Sequence, residues 1–240
     1  GSQDGGNADS IVNELGLSGL QFTNIFNGCA TGGSSLHAAY SAIKSGEYRN
    51  ALVLGFDKHP RGAFNPLPAE WGIDDWYGET GLMLTTQYFA MKIQRYMHEY
   101  DISEQALISV AEKAFYNGSI TPTAWRRQAL SREDIGTSQM VSHPLRKYMF
   151  CNPAEGAVAL VICNAEEAKQ YTDKPVFLNA AIVRTRYYGS FEVFSPSQPV
   201  ITADSPTVIA SQAAYEQAGI GPDDIDIAQL QDTESGAEII

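Results

Sequence analysis

Asn27-Gly28-Cys29-Ala30-Thr31-Gly32-Gly33-Ser34-Ser35 is the stretch around which the rest of the chain is organised. A strand-like run, Gln21 to Phe26, leads into it, and a small-residue helical run from about Thr31 to Ser45 leaves it. A cysteine at that junction stands where a helix begins. There the unpaired backbone N–H groups and the helix dipole present partial positive charge. Such a field favours thiolate over thiol, and the thiolate is the nucleophile. Glycines on both sides permit a tight turn and let a ligand approach the backbone. The competing reading is a buried cysteine acting as a small hydrophobe. A hydrolase nucleophile elbow is excluded, because it needs glycine two residues before and two after the nucleophile. Asn27 and Thr31 occupy those places.

The chain has 240 residues, enough for one large domain or two modest ones. Its formal charge of −12 argues against a nucleic-acid surface and against an anionic membrane. A phosphorylated small molecule needs only a few local cations and is not excluded. The three cysteines, Cys29, Cys151 and Cys163, are widely spaced and form neither a disulfide framework nor a zinc pattern. A reduced, cytoplasmic compartment is the expectation. No run reaches the length of an apolar membrane span, and the N-terminus has no basic-then-apolar signal. The chain opens in polar, Gly-rich sequence and stops inside Glu238-Ile239-Ile240, so it reads as a piece of something longer.

Residues 8–15 predict a short helix capped by Asp9 or Ser10 and ending near Gly16. The helix after Cys29 is built from Ala, Ser and Gly, with Leu36, Ala39, Tyr40 and Ile43 on one side. It has little polar surface to offer water and is expected to be buried in the middle of the fold. Ala51 to Phe56 is a continuous apolar run, as in a parallel strand covered on both faces. Residues 59–80 mix Pro60, Pro66 and Pro68 with Phe64, Trp71, Trp76 and Tyr77, an ordered excursion suited to a lid. Two helical stripes follow, Phe89, Ile93, Tyr96, Met97 and Tyr100, then Leu107, Val110, Ala111, Ala114 and Phe115. They read as packing surfaces rather than cofactor boxes. Arg126, Arg127 and Arg132 read first as a solvated face, with binding to ligand phosphates the alternative. The chain then runs through a loop, Cys151 to Gly156, into the apolar strand Ala157–Cys163. Strands are also expected near 175–186, 190–201 and 225–230, with a helix opening at Asp204-Ser205-Pro206 and closing at Gly219. Gln231-Asp232-Thr233-Glu234-Ser235-Gly236 forms a polar turn.

With these residues in view the chain resembles the thiolase superfamily, and within it the sterol-carrier-protein-2 thiolase or lipid-transfer-protein branch. Asn27–Gly32, Ser35-Leu36, Ala51–Lys58, Cys151–Gly156 with its strand, and Asp223–Asp232 carry the resemblance, in order along nearly the whole chain. It implies an α/β, layered αβαβα fold of two similar βαβ-rich halves, with both ends of the usual fold missing. Residues 1–58 would be the first half, 59–144 an inserted excursion, 145–170 the return strand, and 171–240 the beginning of the second half. The resemblance further implies that Cys29 is a nucleophile that takes an acyl group from acyl-coenzyme A. The turn at 231–234 looks like the family's His-Asp-Cys-Phe or Asn-Glu-Ala-Phe motif, whose first residue holds a thioester oxygen. Gln231 stands there, and its side-chain NH₂ is an oxyanion donor of the right kind. Gly28, Asp232 and Gly156 are the implied substrate-binding residues.

Thiolases also use a histidine of a Gly-His-Pro segment and a cysteine of a Cys-x-Gly segment, both past the point where this sequence stops. His37, His59, His98 and His143 do not replace them: His37 is two turns into its helix and His98 on a polar face. No general base is named by these residues. The resemblance implies a thiolase-like acyltransferase that cleaves or forms a C–C bond in a 3-ketoacyl-coenzyme A, in lipid or sterol side-chain metabolism. No bound cofactor is expected, and coenzyme A serves as co-substrate. Two alternatives stand beside this reading. One is a retro-aldolase that cleaves a 3-hydroxyacyl-coenzyme A steroid side chain together with a small partner protein. The other is a non-catalytic acyl-coenzyme A-binding or scaffold subunit. A homodimer is the expected assembly.

Overall fold

The computed structural model describes residues 8–58, 67–187, 205–231 and 233–240. In chain order these hold α1 (Ala8–Glu14), α2 (Thr31–Lys44), β1 (Asn50–Lys58), α3 (Asp75–Glu79), α4 (Thr85–Tyr100), α5 (Glu104–Ile120) and α6 (Arg132–Thr137). There follow β2 (Met140–Ser142), β3 (Leu145–Arg146), β4 (Glu155–Cys163), α7 (Ala168–Tyr171), α8 (Pro206–Ala218) and α9 (Ser235–Ile239). The chain divides into two compact units. One draws on residues 8–58, 155–187 and 205–226, the other on 67–154, 227–231 and 233–240.

In the first unit β1 and β4 pair antiparallel, with Leu52 opposite Val161, Leu54 opposite Ala159 and Phe56 opposite Ala157. The expectation of a parallel strand covered on both faces is therefore corrected. The β1 side chains alternate between half-buried Ala51 and Val53 and exposed Leu52 and Leu54, so only one face is partly covered. Helix α2 packs on this ribbon. It contains no fully buried residue, so the expected central burial is not found either. The Gln217 amide of α8 donates to the Tyr40 hydroxyl of α2 at 2.7 Å.

The helix ends follow the sequence closely, with local differences. Helix α1 forms where expected, but Asp9 and Ser10 lie inside it, and the Asn24 side-chain oxygen accepts the Ala8 N–H at 3.0 Å instead. The Ser205 hydroxyl accepts the Val208 N–H at the start of α8, and Gly219 closes that helix at φ +71°. The left-handed backbone there is the reason a glycine is needed. The segments 21–26, 175–186 and 225–230 carry no strand: none joins a ladder among the described residues. Apolar run length suggested strands there, but a strand is defined by its partner, which a run of residues cannot supply. The strand expected at 190–201, the start at Asp204, and Pro60, Phe64 and Pro66 of the excursion lie outside the described residues.

The second unit holds a dry core. Ala90 and Ile93 of α4, Leu107, Ile108 and Ala111 of α5, Ile135 of α6, Leu145 and Met149 cluster there. The stripe on α5 is close to the expected one, although Ile108 takes an inner place and Ala114 is exposed. On α4 the buried set is Tyr88, Ala90 and Ile93, while Tyr100 stands out in solvent. Arg132 is not a free surface cation. Its guanidinium reaches Ser109, Glu112 and the Gln105 side-chain oxygen at 2.9 to 3.0 Å, tying α6 to α5. Of the excursion, Tyr77 on α3 is 3 % exposed and meets Trp76 edge to face at 5.2 Å between ring centres.

Candidate functional site

Cys29 lies in the first unit, on a single 3-10 turn, Gly28–Ala30, that feeds directly into α2. Its thiol is free and exposed, which removes the buried-hydrophobe reading. Gly28 has φ +51°, a left-handed backbone that a side chain at this position would strain. The Ala30 N–H donates to the Asn27 carbonyl at 2.9 Å and closes the turn. The Thr31 hydroxyl accepts the Asn27 N–H at 2.9 Å and donates to the Gly28 carbonyl at 2.7 Å. The Asn27 side-chain NH₂ donates to the Ser34 hydroxyl at 2.9 Å. Gly32 and Gly33 follow on the first turn of α2, and a methyl group at either would meet no atom within 4 Å.

Gly156, expected in the loop before the strand, is instead the second residue of β4, opposite Asp57 of β1. It is exposed, with nothing within 4 Å of the place a side chain would take. Among the histidines, His37 Nδ1 lies 2.6 Å from the Ala181 carbonyl oxygen. One ring nitrogen is therefore committed to a backbone bond. His98 and His143 are exposed, and His59 lies outside the described residues.

Gln231 lies in the second unit and is exposed. Asp232 falls outside the described residues. What this unit brings together is the polar turn and the loop that begins at Cys151. The Cys151 N–H donates to the Thr233 carbonyl at 3.0 Å, and Phe150 forms an isolated antiparallel bridge with Glu234. Sequence reasoning quoted both segments but did not join them, because 82 residues of chain, from Cys151 to Thr233, carry no local signal of the pairing.

Glu234 is the residue that sequence reasoning passed over. It is 2 % exposed, and its carboxylate accepts the Gly236 N–H at the start of α9. Burial pushes its pKa above the ordinary glutamate value, opposed by the N–H groups of Gly236 and Ala237 and by the Lys92 charge. The signal was available: an acidic residue stands where the family motif carries phenylalanine. Gly236 beside it is fixed by packing, since an added Cβ would fall 2.5 Å from Ile93 Cγ1. Arg126 lies over the Phe115 ring at 5.2 Å. Burial lowers its pKa, and the charges of Cys151 and Tyr148 raise it again. Among the described residues no helix is long and apolar enough to cross a membrane.

The described residues form a mixed α/β chain with an exposed cysteine on a glycine turn at a helix start, a thiolase-like combination. Comparison with known proteins agrees at the level of fold and of homologues. No protein-family model matches the chain. It is 29% identical over 233 residues to benzoylsuccinyl-CoA thiolase subunit BbsB of Thauera aromatica, covering 96% of this chain and 59% of that protein. It is 30% identical over 225 residues to an acetyl-CoA acetyltransferase of Methanothermobacter thermautotrophicus, covering 92% and 57%. To sterol carrier protein 2 of Gallus gallus it is 25% identical over 242 residues, covering 96% and 44%. The chain thus spans about half the length of the curated relatives it matches. Among solved structures it superposes on one described as "Ltp2-ChsH2(DUF35) aldolase" with a TM-score of 0.76. That match covers 98% of this chain and 62% of the other at 23% identity, a likeness of fold alone. The homologues of this chain are thiolase-family proteins and sterol carrier protein 2, and the resemblance carried by the Cys29 motif stands.

Proposed function

We propose that the protein is an acyltransferase acting on acyl-coenzyme A thioesters, with Cys29 as nucleophile. The observation that carries this reading is the free, exposed thiol on the Gly28–Ala30 turn at the head of a 14-residue helix. In the cleavage direction the Cys29 sulfur attacks the keto carbon of a 3-ketoacyl-coenzyme A and the C2–C3 bond breaks. The departing carbon takes a proton and leaves as acetyl- or propionyl-coenzyme A. The acyl group on sulfur then passes to the thiol of a second coenzyme A. The resemblance of the 231–234 turn to the family motif assigns Gln231 the role of carboxamide donor to a thioester oxygen, and one such donor typically contributes roughly 3–4 kcal/mol in the transition state. From the family resemblance, Gly28, Gly156 and Asp232 are read as substrate-binding residues. The reading includes lipid or sterol side-chain substrates, a homodimer in the cytoplasm, and a small acyl-coenzyme A-binding partner protein. The names of the thiolase and acetyltransferase relatives support the acyl-transfer part of the reading.

Incubation with a 3-ketoacyl-coenzyme A followed by intact-mass measurement tests the reading. An acyl adduct that maps to Cys29 and is lost in Cys29→Ser is the expected result. Release of a ketone from a 3-hydroxyacyl-coenzyme A, without an adduct and undiminished in Cys29→Ser, would replace it with the retro-aldolase. Tight binding without turnover of either substrate would leave a binding or scaffold subunit.

A further inference from the structure

The Thr31 side chain spans the residues on either side of the cysteine. Its oxygen accepts the Asn27 N–H at 2.9 Å, from before the turn, and its proton goes to the Gly28 carbonyl at 2.7 Å. That carbonyl also accepts the Thr31 backbone N–H. An ordinary capping hydroxyl precedes its helix and accepts N–H groups of the first turn. Thr31 does the reverse: it is inside the helix and reaches backward, past Cys29, to the peptide units that lead to it. Its single O–H donor and one of its two acceptor lone pairs are used there. Gly28, held by this pair of contacts, is the residue whose left-handed backbone sets the direction in which the next side chain leaves. Ser34, one turn further along α2, accepts from the Asn27 side chain at 2.9 Å and secures the same strand of backbone.

From this arrangement we propose that Thr31 is the positioning residue of Cys29: its hydroxyl locks the Asn27–Gly28 backbone so that the sulfur is presented at the start of α2. The inference deepens the acyl-transfer reading and rests on it for its biological meaning. The hydroxyl itself makes no contact with the thiol and moves no proton. Valine at position 31 keeps the shape and removes both hydrogen bonds, whereas serine keeps both and removes a methyl group.

The test is the rate of alkylation of Cys29 by iodoacetamide in the intact protein, read by peptide mass mapping. Cys151, also exposed, is the internal reference. In Thr31→Val the ratio of Cys29 to Cys151 rates is expected to fall roughly two- to fivefold, the factor that a charge held in the field of a helix start is worth. Thr31→Ser is expected to restore it, and Ser34→Ala to lower it by less. An unchanged ratio in Thr31→Val overturns the proposal. So does a fall that serine fails to rescue, since that would mark the methyl group and not the hydroxyl. If Thr31→Val does not fold, Thr31→Ala, which also removes both hydrogen bonds, takes its place, and an unchanged ratio there overturns the proposal. The two readings separate cleanly. Wild-type protein that shows this alkylation pattern but takes no acyl group from acyl-coenzyme A removes the acyl-transfer reading and leaves the positioning role. An acyl adduct with no Thr31 dependence does the opposite.

Discussion

The two units of this chain use similar residues to different ends. In the second, Ile93, Leu107, Ile135 and Leu145 reach zero exposure because α4, α5 and α6 converge on them from several directions. In the first, Leu52 is 50 % exposed and Val161 70 % exposed, although both belong to long apolar strands. The difference is not one of hydrophobicity. A two-stranded ribbon offers two faces, and only the face carrying Ala51 and Val53 is partly covered here. Such a ribbon is marginal by itself, whereas helices meeting at one point can exclude water completely. The unit with the closed core is the one that holds Glu234 and the Cys151 loop, and the unit with the bare sheet face carries Cys29.

Substitutions break this contrast at its strongest point first. Ile93→Ala removes a fully buried side chain from the dry core and is expected to destabilise by about 2–5 kcal/mol. Urea denaturation of the variant against wild type measures it. A loss below about 1 kcal/mol would mean that the core relaxes around the cavity.

Glu234 gives a smaller effect with a definite sign. Its folded pKa is raised, so the stability it contributes is fullest below the ordinary value of 4.5 and is lost as pH rises through the folded value. Glu234→Gln keeps an acceptor for the Gly236 N–H and has no charge to bury. The variant is therefore expected to gain on wild type as pH climbs from about 4.5 towards neutrality, in melting temperature measured across that range. A constant difference at every pH would show that the carboxyl is not desolvated.

The smallest effect is expected on the bare sheet face. Val161→Thr should change stability by no more than about 0.5 kcal/mol, because that side chain is 70 % exposed and loses little contact. A loss comparable to that of Ile93→Ala in the same denaturation series would show that this face is covered in solution, and would erase the contrast.

Much of the local structure was legible in the chain. Small residues after Cys29 gave α2, and the periodic stripes gave α4 and α5. Ser205-Pro206 and Gly219 fixed the ends of α8, since capping and left-handed closure depend only on a few neighbouring residues. The strands were legible only in part. Ala51–Phe56 and Ala157–Cys163 are strands, whereas 21–26, 175–186 and 225–230 make no ladder among the described residues. Apolar run length signals burial potential, and pairing depends on a second segment as distant in the chain as Glu155 is from Lys58.

The candidate site divides along the same line. By itself the sequence determined the cysteine turn and the helix that follows it, because both are written in adjacent residues. Tertiary structure alone decided that β1 runs antiparallel to β4, that Cys151 meets Thr233, and that Glu234 is buried beside Ile93. It also decided that the Thr31 hydroxyl turns back across Cys29 rather than out to water. Backbone preference acts over a few residues, while burial and hydrogen-bond partnership are set by whatever chain the fold brings alongside.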